Sequence, residues 1–190
     1  MNALDRAAAA ARACTLCTDL PLGPLPVLRV SATARLLIIG QAPGTRVHES
    51  GIPWDDASGE RLRGWLGIDR ETFYDVARIA LVGSGLCYPG TLPGGGDAPP
   101  RRICGDVWHP RLLPLMPRIA LTLLVGSYAQ ARVLGPGAVG ERMRQFRAFL
   151  PSHFPLPHPS WRTAAWERRN PFFAEEVLPA LRAAVARALG

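Results

Sequence analysis

Four short apolar runs, at residues 36–39, 77–82, 120–125 and 153–156, alternate with stretches of helical periodicity, and no other feature limits the fold so tightly. Runs that read as continuous aliphatic strands are buried on both faces. Strand and helix in alternation connect such strands in parallel, with helices covering the sheet. The predicted fold class is therefore α/β, a three-layer α/β/α sandwich around a four-stranded parallel sheet. A chain of 190 residues with 48% hydrophobic content can bury one sizeable core, so residues 1–190 are expected to form a single domain. In open α/β sheets ligands lie beyond the carboxyl ends of the strands. There the four runs break into Gly40-Gln41-Ala42-Pro43-Gly44, Gly83-Ser84-Gly85, Gly126-Ser127 and Pro157-His158-Pro159-Ser160. The rim thus collects Gln41, Ser84, Ser127 and His158.

Helices are expected over residues 3–13, from a cap at Ser58 with Leu62, Trp65 and Leu66 buried, over 69–74 starting at Asp69, over 106–116, and after a cap at Ser127. Residues 141–149 read as a basic amphipathic helix with Arg142, Arg144 and Arg147 outward. Residues 171–189 carry the docking stripe Phe173, Val177, Leu178, Leu181 and Val185. Three prolines between residues 21 and 26 forbid helix and make an extended wrap, completing an N-terminal hook over residues 1–30.

Basic residues outnumber acidic ones 22 to 15, for a net charge of +7, and all of them are arginine. Arginine pairs with phosphates in bidentate fashion and stacks on bases, so this balance suits a polyanion partner, although GC-rich codon usage also replaces lysine. No apolar run approaches the ~20 residues of a membrane span, and residues 1–14 lack a signal-peptide pattern. The expectation is a cytoplasmic protein without a membrane partner, and a monomer.

Cys14 and Cys17 form C-x-x-C at the end of the first helix, and Cys87 and Cys104 flank a Pro/Gly loop; there are no other cysteines. In a reducing compartment disulfides are disfavoured, whereas four thiolates complete the ligand set of a four-cysteine metal site. Ligand type alone leaves iron–sulfur and zinc both open. A redox dithiol ranks last, because this C-x-x-C does not open a helix after a strand.

Residues 35–59 hold the most chemistry. Gly40 and Gly44 allow close backbone approach to a flat ligand, and His48, Glu49, Trp54, Asp55 and Asp56 follow within a dozen residues. Singly, each has an ordinary alternative: Gly-Pro-Gly as punctuation, Trp54 or Trp161 as core, His158 as a strand-end cap. Together, the C-x-x-C, the strand ending in GQAPG, GIPWDDASG at 51–59, Cys87 and Cys104, and HPS at 158–160 resemble the uracil-DNA glycosylase superfamily, most closely its iron–sulfur family four. That resemblance implies a DNA glycosylase of base excision repair that flips uracil, or a related deaminated base, out of DNA. It further implies a [4Fe–4S] cluster, with zinc as the alternative, held by Cys14, Cys17, Cys87 and Cys104. Trp54 takes the place of the aromatic that stacks on the base, together with Gly40, Ala42, Pro43 and Gly44, and His158 that of the HPS histidine. Ser160, Trp161 and Arg162, with Ser127, are expected to meet DNA as phosphate contacts and a wedge.

The chain departs from the family pattern twice. Gln41 stands where family four carries Glu, and Ala42 where the GQDPY enzymes carry Asp; no Asn stands ahead of Cys87 to read the uracil edge. His48 or Glu49 is the expected substitute for water activation, with Gln41 orienting water, and Ser84 for the base edge. The missing carboxylate also motivates a rival reading, a non-catalytic lesion-binding protein that kept the pocket.

Overall fold

Leu36 and Ile38 face one side of the sheet and Leu37 and Ile39 the other, and each pair belongs to a separate buried cluster. This alternation on the first strand generates a three-layer molecule. The computed structural model describes all 190 residues. The strands are β1 (Leu36–Gly40), β2 (Ile79–Gly83), β3 (Leu121–Val125) and β4 (His153–Leu156). They form one sheet in the order β2-β1-β3-β4 with every pairing parallel. The order reverses direction at β1 and β3, which puts the ligand-accepting crevice of an open sheet there. Pro155, which has no N–H for a ladder, is confined to β4 at the sheet's edge, opposite Leu124.

In chain order the helices are α1 (Ala3–Arg12), α2 (Thr45–Ser50), α3 (Ala57–Leu66), α4 (Arg70–Tyr74), α5 (Arg102–Leu112), α6 (Ser127–Leu134), α7 (Val139–Arg144), α8 (Thr163–Arg169) and α9 (Leu178–Leu189). Leu62, Trp65 and Leu66 of α3 and Leu181 and Val185 of α9 join Leu36 and Ile38 in the larger core, with Phe146, Phe154 and Phe173 filling it. On the opposite face Leu4, Ala8 and Ala11 of α1 and Trp108 and Leu112 of α5 pack on Leu37, Ile39 and Val82. Residues 27–29 run along the outer side of β2, where Arg29 and Leu81 exchange backbone hydrogen bonds of 2.9 and 2.7 Å. No helix is long and apolar enough to cross a membrane.

The α/β/α sandwich and all four strands stand as expected, with β2 starting two residues later than its apolar run. Several local expectations are corrected. The cap of α3 is Asp56, whose Oδ1 accepts the Gly59 N–H at 2.8 Å, and Ser58 lies inside the helix. Ser127 likewise sits inside α6, behind Gly126, whose φ of +88° closes the β3 turn. The helix expected at 106–116 starts earlier, directly after Pro99 and Pro100, and tightens into a 3-10 turn at Leu113–Leu115 around Pro114. The predicted helix over 141–149 is split into α7 and a 3-10 turn, Phe146–Phe149. Arg142 is not on its solvent face: it is 9% exposed, and its guanidinium donates to the Gly135 carbonyl at 2.7 Å. The last helix opens with a π turn, Phe173–Val177, ahead of α9.

Candidate active site at the carboxyl rim of the sheet

Beyond the carboxyl ends of β1 and β2 lies a cavity of about 80 Å³, lined by the 40–44 loop, Trp54, Asp56, Asp97 and His158. It brings together segments more than a hundred residues apart. Trp54 arrives from the turn between α2 and α3 with φ of +60°, a left-handed backbone rare for a bulky residue. Such a conformation costs on the order of 1–3 kcal/mol and persists only when its surroundings fix it. Here Arg63 donates to the Trp54 carbonyl at 3.3 Å, and the Tyr74 hydroxyl donates to the Pro53 carbonyl at 3.0 Å. The indole lies over the end of β1, where Gly40 leaves room: a Cβ there would stand 2.7 Å from Trp54 Cζ2.

His158 reaches the same cavity from the turn after β4. Its ring centroid is 6.0 Å from that of Trp54, with the planes tilted by 30°. It packs against Gly126, whose Cβ position would be 3.5 Å from His158 Cβ. Burial pushes the imidazole pKa below its ordinary 6.5, partly opposed by the Asp56 carboxylate, so the ring is neutral at pH 7. A neutral imidazole carries one N–H and offers it as a donor without adding charge. Arg61 of α3 pins the turn, donating to the Ser160 carbonyl at 3.0 Å and pairing with Glu167 at 2.6 Å. Beyond this point Trp161 is 79% exposed, and Arg162 is also exposed.

The other expected residues fall into two groups. Gly40, Gln41, Ala42, Pro43 and Gly44 line the cavity, and Gln41 Nε2 donates to the Ala98 carbonyl at 3.4 Å. His48, Glu49, Ser84 and Ser127 do not line it. His48 and Glu49 lie on α2; Glu49 is exposed, while the His48 ring stands 6.1 Å from Tyr88. Ser84 is 3% exposed, and its hydroxyl donates to the Gly40 carbonyl at 2.8 Å, bracing the β1 and β2 turns against each other. Ser127 is exposed at the start of α6. Asp56 and Asp97 line the cavity too, although no sequence motif assigns either a role there. Asp97 comes from the Pro/Gly loop, which folds as a small hairpin closed by the Thr91–Asp97 bridge and by Leu92 N–H to Gly96 O at 2.9 Å. The one signal for it is that it is the single acid in a stretch otherwise without charge between residues 79 and 100.

Cys14, Cys17, Cys87 and Cys104 all border one second cavity, between the N-terminal hook and the start of α5. The sulfurs are free thiols and are not drawn together at metal-binding geometry. One feature, an unpartnered donor on the cavity wall, nevertheless fits an electron-rich group, while the thiols themselves are held protonated. Burial raises the thiols of Cys17, Cys87 and Cys104, Cys87 to about 11, and neighbouring thiols add to each shift. A bound cation reverses that logic and deprotonates coordinating thiols. Trp108, 5% exposed, borders the cavity and has a buried indole N–H with no partner.

A family model described as the uracil DNA glycosylase superfamily matches residues 29–182, a span that holds Cys87, Cys104, Trp54 and His158 and begins after Cys14 and Cys17.

Proposed function

The chain belongs to the uracil DNA glycosylase superfamily, and from that premise we propose that it is a monofunctional glycosylase that removes uracil, or a related deaminated base, from DNA. The observation that carries this reading is the shared cavity of Trp54 and His158, their rings 6.0 Å apart at the sheet's carboxyl rim. Extruding a base from a duplex costs a few kcal/mol, which stacking on the Trp54 indole and contact with the 40–44 backbone offset. The bond between C1′ and the base nitrogen then breaks, its electron pair leaving with the base. Positive charge develops on the sugar and negative charge on the base. The neutral imidazole of His158 donates to the base oxygen where that charge gathers, and water completes the abasic site. Exposed Trp161 and Arg162 suit a wedge for the vacated stack and a phosphate contact, with Ser160 and Ser127 flanking the strand.

The closer kinship proposed is with iron–sulfur family four. Cys14, Cys17, Cys87 and Cys104 would hold a [4Fe–4S] cluster, which supplies a structural tie rather than redox chemistry. The partly open cavity they border supports that assignment, because the tie would join the N-terminal hook to the segment that carries the 88–98 hairpin.

The test is excision from labelled oligonucleotides carrying uracil, hypoxanthine or xanthine, followed by alkaline cleavage of abasic sites, with iron and sulfide assayed on the same preparation. Product formation that is lost in His158→Ala supports the reading, and equal iron and sulfide support the cluster. Tight lesion binding without product supports the non-catalytic rival, and a colourless zinc protein refutes the kinship with family four.

A further inference from the structure

Hydrolysis of an N-glycosidic bond gains from a carboxylate on the sugar side, facing the positive charge at C1′ and holding the attacking water. The GQAPG loop carries none, because residue 41 is Gln and residue 42 is Ala. Three aspartates lie nearby, and two are already engaged. Asp55 pairs with Arg70 at 2.9 Å. Asp56 accepts the Gly59 N–H as the cap of α3. Asp97 is different: like Asp56 it lines the cavity and is in none of the five ion pairs, but it caps no helix, and its Oδ2 is 3.5 Å from the position a Cβ on Gly44 would take. The residue as a whole is solvent-exposed, its Oδ2 is turned toward Gly44, and partial burial of the carboxyl raises its pKa.

The hairpin that delivers Asp97 is held from the GQAPG loop and flanked by an arginine. Gln41 Nε2 donates to the carbonyl of Ala98, the next residue. Arg162 lies beside the tip, with Nη1 2.9 Å from where a Cβ on Gly96 would stand, and its charge acts on Asp97 against the repulsion from Asp56.

We propose that Asp97 is the catalytic carboxylate of this site, supplied by the hairpin in place of the residue at 41, and that Gln41 is a positioning residue that sets the hairpin over the cavity. As the C1′–N bond breaks and its electron pair departs with the base, the Asp97 carboxylate faces the cationic sugar. Water then forms the new C–O bond at C1′, and its proton passes to Asp97 and on to solvent. This inference rests on the glycosylase reading above.

The test compares wild type with Asp97→Asn, Asp97→Ala, Gln41→Ala and the double variant Gln41→Ala/Asp97→Asn. Single-turnover excision is measured at saturating enzyme, on whichever of the three oligonucleotides wild type cleaves. Affinity for the same oligonucleotide is measured by fluorescence anisotropy. Both Asp97 variants should excise about 10²-fold more slowly with affinity held within about threefold, as expected for a group acting in the transition state. Gln41→Ala should lose rate without affinity in the wild-type background and lose almost nothing further once Asp97 is Asn. Excision by Asp97→Asn at nearly the wild-type rate overturns the assignment, as does a loss confined to affinity. Additive losses overturn the role of Gln41. If wild type excises none of the three bases, the glycosylase reading fails and this inference falls with it, an outcome separate from active wild type with indifferent Asp97 variants.

Discussion

Gly40→Ala tests whether the indole platform is fixed by the end of β1. Gly40 takes part in the parallel ladder and its φ is not in the left-handed region, so alanine meets no backbone penalty. The cost comes from the new methyl, placed 2.7 Å from Trp54 Cζ2. Carbon atoms rest at roughly 3.5–4.0 Å, so the indole must retreat by about 1 Å. Trp54 cannot swing freely, because its backbone touches Gly59, where a Cβ would stand 1.8 Å from the Trp54 carbonyl oxygen. Overpacking of this kind costs about 1–3 kcal/mol, and a misplacement of about 1 Å costs roughly 10²-fold in rate. The expected result is a lowered urea midpoint with unchanged m value, together with excision slowed on the order of 10²-fold. Trp54→Phe removes the ring atoms that the methyl strikes. The double variant should therefore be more stable than the sum of its parts, by about 1 kcal/mol of coupling. A Gly40→Ala protein with wild-type midpoint and rate, or a cycle with no coupling, refutes the reasoning.

Two further outcomes follow from charge. Burial lowers the pKa of His109, His153 and His158 below 6.5, so the unfolded chain binds protons at pH values where the folded one does not. Stability is then complete above about pH 6.5 and declines on acidification, by up to about 1.4 kcal/mol per pH unit for each well-buried histidine, less for the more open His153. Asp97, raised by burial, acts in the opposite direction at lower pH. Urea midpoints at pH 7.5 and 5.5 check this, and equal midpoints contradict it. Arg162→Ala removes one cation from the rim and should flatten the slope of log affinity against log salt by about 0.7–0.9, while Arg168→Ala, on exposed α8, serves as the comparison.

What the sequence reveals follows the physics of burial. Strands β1 to β4 are legible because each is apolar across nearly its whole length, as two-faced burial requires. Helix α2 hides as a loop, because in Thr45–Ser50 Val47 alone is buried and one apolar residue makes no period. Helix α8 buries no residue and leaves no stripe to find. Arg142 misleads for the opposite reason: its charge predicts solvent, while carbonyls at the end of α6 draw its guanidinium inward. At the site, Trp54 and His158 are legible from motifs that a fixed turn imposes on neighbouring residues. Asp97 is not, since its place at the cavity depends on a hairpin tethered to Gln41, far away in the chain.

The family match and the packed core also begin at different points along this polypeptide. The match to the family model starts at residue 29, yet Leu4, Ala8, Ala11 and Leu28 belong to the second core. A version trimmed to the matched part would keep the pairing of Arg29 with β2 but lay bare the apolar bed of α1, inviting self-association. The span that carries the family match is thus shorter than the span that builds the two cores.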